Sequence, residues 1–365
     1  MFMKKKRVVI AMSGGVDSST AAALLKEEGH EVIGISMQLY NHAELEAELK
    51  ENRFDSCCSL KDVDEARRVA QILDIPYYVL NFEKIFKEKV VDYFIDEYLH
   101  ARTPNPCVRC NTDVKFKHLL LKAKELKADY LATGHYVRNV FNEKEKCYEL
   151  KKAKDLKKDQ SYFLFGTDPK ELPYLLFPLG DLEKTEVRTL AERHHLPTAQ
   201  KPESMEICFI PNNNYSNFIE SKIQNKKAFQ GQIITKEGKI LGKHDGSFQF
   251  TVGQRKGLGV FDSNPLYVLE VDHTSKKVTV GSDQDLKSIG LVAKNINWIK
   301  YPKSPCVSVK IRHSTKNIPC TIENLKTHVK VLFQEPERAV TPGQAAVFYE
   351  GDTLLGGGWI EQRLS

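Results

Sequence analysis

Ser13-Gly14-Gly15-Val16-Asp17-Ser18-Ser19 follows an apolar run, Arg7-Val8-Val9-Ile10-Ala11-Met12, and precedes a helix-forming stretch, Thr20 to Glu28. Two glycines at that place let the backbone come close to a polyanion. The helix beginning after them supplies unpaired N–H groups and the positive end of its dipole. The chemistry this spacing suits is holding the phosphates of a nucleotide. No lysine follows the glycines, which separates the run from the Gly-x-x-x-x-Gly-Lys-Ser/Thr loop. A loop that cradles the terminal phosphates as pyrophosphate, without a lysine activating the γ-phosphate, suits attack at the α-phosphate. The products would be a nucleotidylated substrate and pyrophosphate. A plain Gly-Gly turn between strand and helix accounts for the glycines but not for the Ser, Asp and Ser around them.

The cysteines form the second set of chemistry-bearing residues. Cys107 and Cys110 follow Arg102-Thr103-Pro104-Asn105-Pro106, whose two prolines are expected to prevent helix and hold the chain extended. Cys208 lies much later, in Glu203-Ser204-Met205-Glu206-Ile207-Cys208-Phe209. Cys147, Cys306 and Cys320 sit in strand-like contexts and read as small buried hydrophobes. Cys57-Cys58 precede a helical pattern, where a lowered thiol pKa and simple packing are equally compatible. Three uses of Cys107, Cys110 and Cys208 stay open on spacing alone. Zinc needs a fourth ligand from elsewhere. An iron–sulfur cluster with one open iron needs only three. In thiol chemistry, one cysteine carries a sulfane sulfur and another releases it.

Elements that would position these residues can be read from periodicity. Up to about residue 170 the chain alternates strands, Val8–Met12, Glu31–Met37, Tyr77–Leu80 and Tyr130–Thr133, with helical patterns at Thr20–Glu28, Lys61–Leu73, Ile85–Leu99 and Lys115–Leu126. That order predicts a parallel sheet covered on both faces, with ligands at the carboxyl ends of the strands. The phosphate loop and Gly134-His135-Tyr136 both belong at that edge. From about 215 the character turns to β: hairpins over Gly231–Lys243 and from Tyr267–Asp272 to Lys277–Gly281, then strands including Ser308–Arg312, Lys330–Phe333 and Ala345–Tyr349. This predicts a small barrel or sandwich at the end of the chain.

A length of 365 residues predicts more than one domain. With 41% hydrophobic and 28% charged residues and no apolar run long enough to span a bilayer, a globular, non-membrane, cytoplasmic protein is expected. Eight cysteines in that compartment point to buried, catalytic or metal-binding roles rather than a disulfide framework. The formal charge of +6 is compatible with an acidic partner such as RNA but too small to demonstrate one.

The loop resembles the signature of the N-type ATP-pyrophosphatases. Ser13–Ser19, Thr103–Asn111, Thr133–Tyr136, Lys158-Asp159-Gln160-Ser161-Tyr162, Glu203–Phe209, Thr251–Gly259 and Thr341-Pro342-Gly343-Gln344-Ala345 together resemble, almost end to end, the tRNA-specific 2-thiouridylases. The resemblance implies an α/β parallel-sheet ATP-pyrophosphatase domain over 1–212, a small central domain over 213–284 and a C-terminal β-barrel over 285–365. It implies ATP-dependent adenylation of the 2-carbonyl of the wobble uridine of tRNA, followed by replacement of that oxygen with sulfur. Ala11, Met12, Ser13, Gly14, Gly15, Val16, Asp17 and Ser18 would bind ATP, with Asp17 helping to hold magnesium and with Met37 and Gly134 on the adenine side. Cys208 would carry a persulfide and Cys110 would resolve it, leaving a Cys110–Cys208 disulfide. Asn105, Pro106 and Cys107 would lie against the target base; His135, Lys158, Asp159, Gln160, Arg312, His313 and Gln344 would touch tRNA. A persulfide-donating sulfur carrier or cysteine desulfurase is the implied protein partner.

One departure bears on the mechanism. Some family members carry Asp where this chain has Cys107; the Cys-x-x-Cys so created, with Cys208, offers three thiolates to a [4Fe–4S] cluster in place of the persulfide route. Without the resemblance, His135 and Asp159 read as a loop histidine and a solvated Asp, and Arg255-Lys256 as a basic turn. Another ATP-pyrophosphatase, adenylating a small carboxylate or amide, would leave the three cysteines and the barrel without a use. A non-enzymatic scaffold would have no need of Asp17.

Overall fold

The computed structural model describes residues 5–40, 60–203, 207–210, 214–325 and 327–365; Cys57 and Cys58 lie outside the described residues. The chain divides into two units that do not follow its order. One takes Met1–Val90, Cys107–Asn213 and Asp352–Leu354, the other Val91–Pro106, Asn214–Gly351 and Leu355–Ser365.

In the first unit, β1 (Arg7–Ala11), α1 (Val16–Glu27), β2 (Glu31–Gln38), α2 (Leu60–Ile72) and β3 (Tyr77–Asn81) alternate as their apolar spacing predicts. The inner strands are buried on both faces, the pattern of a sheet covered by helices. A parallel partner, β4 (Tyr130–Ala132), lies on the other side of β1. The hairpin of β5 (Val137–Asn142) and β6 (Cys147–Lys152) follows, then β7 (Leu175–Leu176) beside β4. Among the described residues the parallel order is β3-β2-β1-β4-β7. The chain moves outward from β1 through β2 to β3 and returns to β4 on the opposite side. Strands β1 and β4 therefore flank a topological switch point, where crevices form at the carboxyl edge. Helix α1 packs there through Ala21, Ala22, Ala23 and Leu25, against Val187 and Ala191 of a later helix, Lys184–Arg193.

Two helical stretches differ from expectation. Residues 83–99 begin as α3 (Glu83–Phe86), pass through a π-wound turn at Lys87–Val91 and end as α4 (Asp92–Leu99). The stretch expected from Lys115 begins earlier, with α5 (Pro106–Arg109), a π-wound run over Cys110–Leu119 and α6 (Leu120–Glu125). Pro106 starts this helix rather than preventing it. At the first helical position the missing N–H has no intrahelical acceptor, and the fixed φ suits the helix. The helix Lys184–Arg193 is α7.

In the second unit, α8 (Tyr215–Lys222) leads to β8 (Gly231–Thr235), β9 (Ile240–His244), β10 (Tyr267–Val271) and β11 (Val278–Gly281), ordered β10-β11-β8-β9 around Ile233, Phe250, Val268, Val278 and Val280. The last strands are β12 (Lys287–Trp298), β13 (Cys306–Lys310), β14 (Ile318–Asn324), β15 (His328–Arg338), β16 (Ala345–Glu350) and β17 (Thr353–Leu364). They run β12-β15-β14-β13-β16-β17, and pairing of β12 with β17 closes them into a barrel. Its centre holds Leu291, Val309, Val331, Phe348 and Ile360.

Residues 91–106 belong with this second unit through side-chain and backbone contacts. The ring of Tyr98 stacks on Tyr215 at 4.7 Å, and Tyr93 meets Trp359 at 5.9 Å. The Arg102 guanidinium donates to the Ile360 carbonyl at 3.2 Å, and the Thr103 N–H to the Pro342 carbonyl at 2.9 Å. Gly343 makes this docking possible: its φ is +89°, and a Cβ there would stand 2.8 Å from the Thr103 nitrogen. Gly343→Ala should lose about 1–3 kcal/mol of unfolding free energy. A urea midpoint equal to that of the unsubstituted chain would show that the segment is not held as described.

Candidate nucleotide and thiol site

The loop between β1 and α1 is fixed by its own hydroxyls. The Ser13 N–H donates to Ser18 Oγ at 3.1 Å, and the hydroxyls of Ser18 and Ser19 donate to the Gly15 carbonyl at 3.3 and 2.8 Å. Gly15 is the N-cap of α1, so Val16, Asp17 and Ser18 form the first turn, where N–H groups await an acceptor. Ala11 ends β1, and the next residue, Met12, donates its N–H to Ile35 and accepts from the Ser36 hydroxyl at 2.6 Å. Gly14 has φ +72°, and a Cβ there would lie 2.2 Å from the Asp62 carbonyl oxygen. A Cβ on Gly134 would lie 2.7 Å from the Ser18 nitrogen. Met37, buried near the end of β2, shares this edge of the sheet.

Asp17 stands in a network of charges. Its Oδ1 accepts from the Tyr136 hydroxyl at 2.8 Å and from Lys184 Nζ at 2.6 Å; among the described residues Oδ2 accepts no bond. Lys184 also pairs with Glu203 Oε1 at 2.8 Å, and Lys158 with Glu203 Oε2 at 2.7 Å. Burial works against the charge on Glu203, but hydrogen bonds from Lys158 and Lys184 hold its pKa below the ordinary carboxylate value. Burial, reinforced by the Asp17 carboxylate, raises the Tyr136 phenol, so it stays a donor. Gln160 Oε1 accepts from the Tyr136 N–H at 3.0 Å and so holds that tyrosine in register. Asp159 is not solvated: it is 4% exposed and accepts from the N–H groups of Ala153 and Ser161 and from the Ser161 hydroxyl. On the other side of the loop, Lys201 Nζ donates to the Gly14 carbonyl at 3.0 Å and pairs with Asp62 and Glu65. Although burial opposes its charge, those two carboxylates raise the Lys201 pKa.

Cys107 and Cys110 lie three residues apart on consecutive helical turn, Cys107 exposed and Cys110 half-buried at the start of the π-wound run. Cys208 is half-buried, its carbonyl accepting from the Tyr40 hydroxyl at 3.1 Å. Phe209 beside it meets the ring of Phe86 edge-on at 5.7 Å. The three sulfurs do not gather within 4.8 Å of one another as ligands of a single ion would; among the described residues only Glu145, Cys147 and Glu149 bring ligand atoms that close. Cys110 and Cys208 are not joined as a disulfide here.

In the second unit, Arg312 donates to the carbonyls of Val252 and Ala339 and to the Thr341 hydroxyl at 2.8 Å, while His313 beside it is exposed. Gln344 Nε2 donates to the carbonyls of Thr103 and Pro104 at 3.0 and 3.2 Å, holding the segment that leads to Asn105 and Pro106. Nothing in the local sequence assigns a role to Lys184, Tyr136, Glu203 or Lys201. The one local signal for Lys184 is Glu183-Lys184-Thr185-Glu186, where Glu186 accepts from the Glu183 N–H at 2.7 Å and marks a helix start.

Sequence models of three domains match the chain in succession: the tRNA methyl transferase HUP domain over residues 6–212, the tRNA methyl transferase PRC-barrel domain over 216–282 and the aminomethyltransferase beta-barrel domain over 288–360. The tRNA-specific 2-thiouridylase MnmA of Geotalea uraniireducens is 54% identical across 99% of this chain and 96% of its own. That of Geobacter metallireducens is 50% identical, across 99% and 98%. That of Carboxydothermus hydrogenoformans is 46% identical, across 99% of each.

His135 Nδ1 lies 2.7 Å from the Thr133 hydroxyl, with its ring near Phe116 and Phe177. Burial first, and then the charge of Lys115, push its pKa well below 6.5, so it is neutral at the site. Unfolded, it takes a proton as pH falls through about 6.5 while the folded form does not, so stability is lost on acidification at up to about 1.4 kcal/mol per pH unit. His135→Gln should flatten the unfolding free energy between pH 7 and 5; an unchanged slope would place that proton uptake elsewhere.

Proposed function

The chain belongs to the family of tRNA-specific 2-thiouridylases and is a tRNA-uridine 2-sulfurtransferase; we propose that it acts on the wobble uridine in two stages, ATP-dependent adenylation and then sulfur transfer through a cysteine persulfide. The observation that carries the first stage is the lysine-free glycine loop at the β1/β4 switch point, with the first turn of α1 open to an anion. ATP phosphates accept from that turn. Asp17 fits magnesium, because Oδ2 remains for an ion that takes one carboxylate and completes its shell with phosphate and water. When bound, the ion neutralises phosphate charge. Attack of the base oxygen on the α-phosphorus makes AMP the group that later departs, which a urea-like carbonyl otherwise lacks.

In the second stage the terminal sulfur of a Cys208 persulfide attacks C2, and AMP leaves with the former carbonyl oxygen. Cys110 thiolate then attacks Sγ of Cys208, the sulfur–sulfur bond breaks toward the base, and a Cys110–Cys208 disulfide remains for reduction. A base must leave its stack to reach such a site; Asn105, Pro106 and Cys107 are assigned to it. Lys158 and His313, with exposed surface, suit phosphate contact. The buried or braced polar atoms of Asp159 and Gln160 in the first unit, and of Arg312 and Gln344 in the second, suit holding the loops that would meet RNA in each, and neutral His135 suits a hydrogen bond to RNA. The sulfur comes from a persulfide-donating carrier or cysteine desulfurase. No described helix is long and apolar enough to cross a membrane, and we assign the enzyme to the cytoplasm, with its tRNA.

Asp17→Ala and Ser13→Ala should each lower tRNA-stimulated pyrophosphate release about 100-fold or more; release at the unsubstituted rate in both would sink the adenylation stage. Cys110→Ser and Cys208→Ser should abolish thiouridine formation while pyrophosphate release continues. Cys107→Ser separates persulfide from cluster chemistry. Retained thiolation, with Cys110 and Cys208 cross-linked after one turnover without reductant, supports the persulfide. Joint loss of iron and activity would replace that reading with a [4Fe–4S] cluster on Cys107, Cys110 and Cys208.

A further inference from the structure

The parallel sheet of the first unit ends on β3, and no described strand lies beyond it. The Pro76 carbonyl accepts from the Gly34 N–H, and the Phe82 N–H donates to the Gln38 carbonyl, both at 2.8 Å. Alternate residues of a strand bond to the same neighbour, so Tyr78 and Leu80 direct their main-chain groups to β2. Those of Val79 and Asn81 point the other way and find no partner among the described residues. Exposed edges are usually blunted by a charge, a proline or a bulge. Between Pro76 and Glu83, Tyr77-Tyr78-Val79-Leu80-Asn81-Phe82 has no charge and no proline, and the register of β3 with β2 is unbroken.

The two faces of this edge differ. The Tyr77 hydroxyl stands 2.7 Å from Ser36 Oγ and 3.2 Å from the Val63 carbonyl oxygen, which turns that face toward α2. On the opposite face Tyr78 is 51% exposed, and Leu80 opens onto a groove of about 340 Å³ with Phe82, Ile85, His118 and Leu121. Leu121, on α6, is itself 52% exposed. Unpaired N–H and C=O groups along a strand, beside an apolar groove, fit an extended polypeptide: main-chain bonds give affinity and the groove takes alternate side chains. A nucleic acid offers no such ladder.

The kind of polypeptide follows from what lies at the end of the strand. From β3 the chain passes through Phe82 into α3, where the Phe86 ring meets Phe209 edge-on at 5.7 Å and Tyr40 at 6.4 Å. The Tyr40 hydroxyl in turn donates to the Cys208 carbonyl. The edge and Cys208 therefore adjoin one aromatic wall of the first unit. A protein that hands sulfur to Cys208 must bring that sulfur into bonding contact, so it must stand on a surface beside this wall. Resting on the persulfide reading above, we propose that the sulfur-donating protein docks here, laying an extended segment along β3 as a further strand of the sheet. The Cys208 thiolate attacks the terminal sulfur of the donor's cysteine persulfide. The donor's sulfur–sulfur bond breaks, its electron pair stays with the donor cysteine as thiolate, and the persulfide proton remains on the sulfur now carried by Cys208.

The test loads Cys208 of the full chain with radiolabelled sulfur from two donors: a purified cysteine desulfurase with its sulfur carrier, and glutathione persulfide. Val79→Pro removes an outward N–H at a place where an edge strand tolerates proline. Leu121→Glu puts a charge in the groove without touching the main chain of β3, and it keeps the test decisive if Val79→Pro does not fold. Each should slow labelling by the protein donor about 10-fold or more, while labelling by glutathione persulfide and tRNA-stimulated pyrophosphate release stay within about twofold. Unchanged labelling by the protein donor in both variants, or equal loss with both donors, would overturn the proposal. So would altered sedimentation of the isolated chain with protein-delivered sulfur unaffected, which would make the edge an interface between two copies. Unsubstituted chain whose Cys208 takes label from neither donor would instead overturn the persulfide reading itself.

Discussion

Two backbones approach so closely at the switch point that no side chain fits between them. At Gly14 a Cβ would stand 2.2 Å from the Asp62 carbonyl oxygen, and at Gly134 one would stand 2.7 Å from the Ser18 nitrogen. These contacts bring the head of α2 and the loop after β4 directly against the start of α1. Once they are made, the helix N-terminus, Asp17, Tyr136 and Lys184 have little freedom in where they lie. Every polar feature of the proposed nucleotide site is referred to this packing.

Around it, buried and half-buried polar groups, charged and neutral, are used for position more than for exposure. The Asp159 carboxylate holds a turn, the Gln160 amide oxygen accepts from the backbone of Tyr136, and the Lys201 ammonium donates to the carbonyl of Gly14. Arg312 and Gln344 do the same in the other unit, each crossing to carbonyls that no strand partner satisfies. Such groups stabilise one loop geometry against its alternatives, because leaving the same carbonyls buried and unpaired would cost about 1–3 kcal/mol each. A surface that must present a nucleic-acid contact in a fixed place needs this kind of bracing.

Much of the fold was legible because local apolar runs carry it. Val8-Val9-Ile10, Val32-Ile33, the alternation along Tyr267–Val271 and the Glu237-Gly238 turn announce their elements. The β5–β6 pairing was only half legible: Cys147 sits in a strand-like context, but the strands hold Arg138, Asn139, Glu149 and Lys151 and a charged turn joins them, so no apolar alternation marks a hairpin. The winding of Cys110–Leu119 was hidden for another reason, since its buried positions, Asn111, Val114, Phe116 and Leu119, are too irregularly spaced to mark either a π or an α period. At the site, the loop and the cysteine pair stand out as local signals. The bond between Lys184 and Asp17 joins residues 167 positions apart, and no periodicity reports a partner at that distance.

The interleaved course of the chain limits how this protein can be taken apart. Residues 91–106 are threaded from within the first unit to the second, where Thr103 bonds to Pro342 and Tyr98 stacks on Tyr215. A fragment cut at the apparent joint near residue 214 would leave those surfaces bare on one piece and a dangling aromatic segment on the other. Neither piece cut there keeps its packing, so expression or exchange of one unit has to carry residues 91–106 with the second. An insertion tolerated elsewhere would fail between Tyr98 and Pro106, where the segment is held at both of its ends.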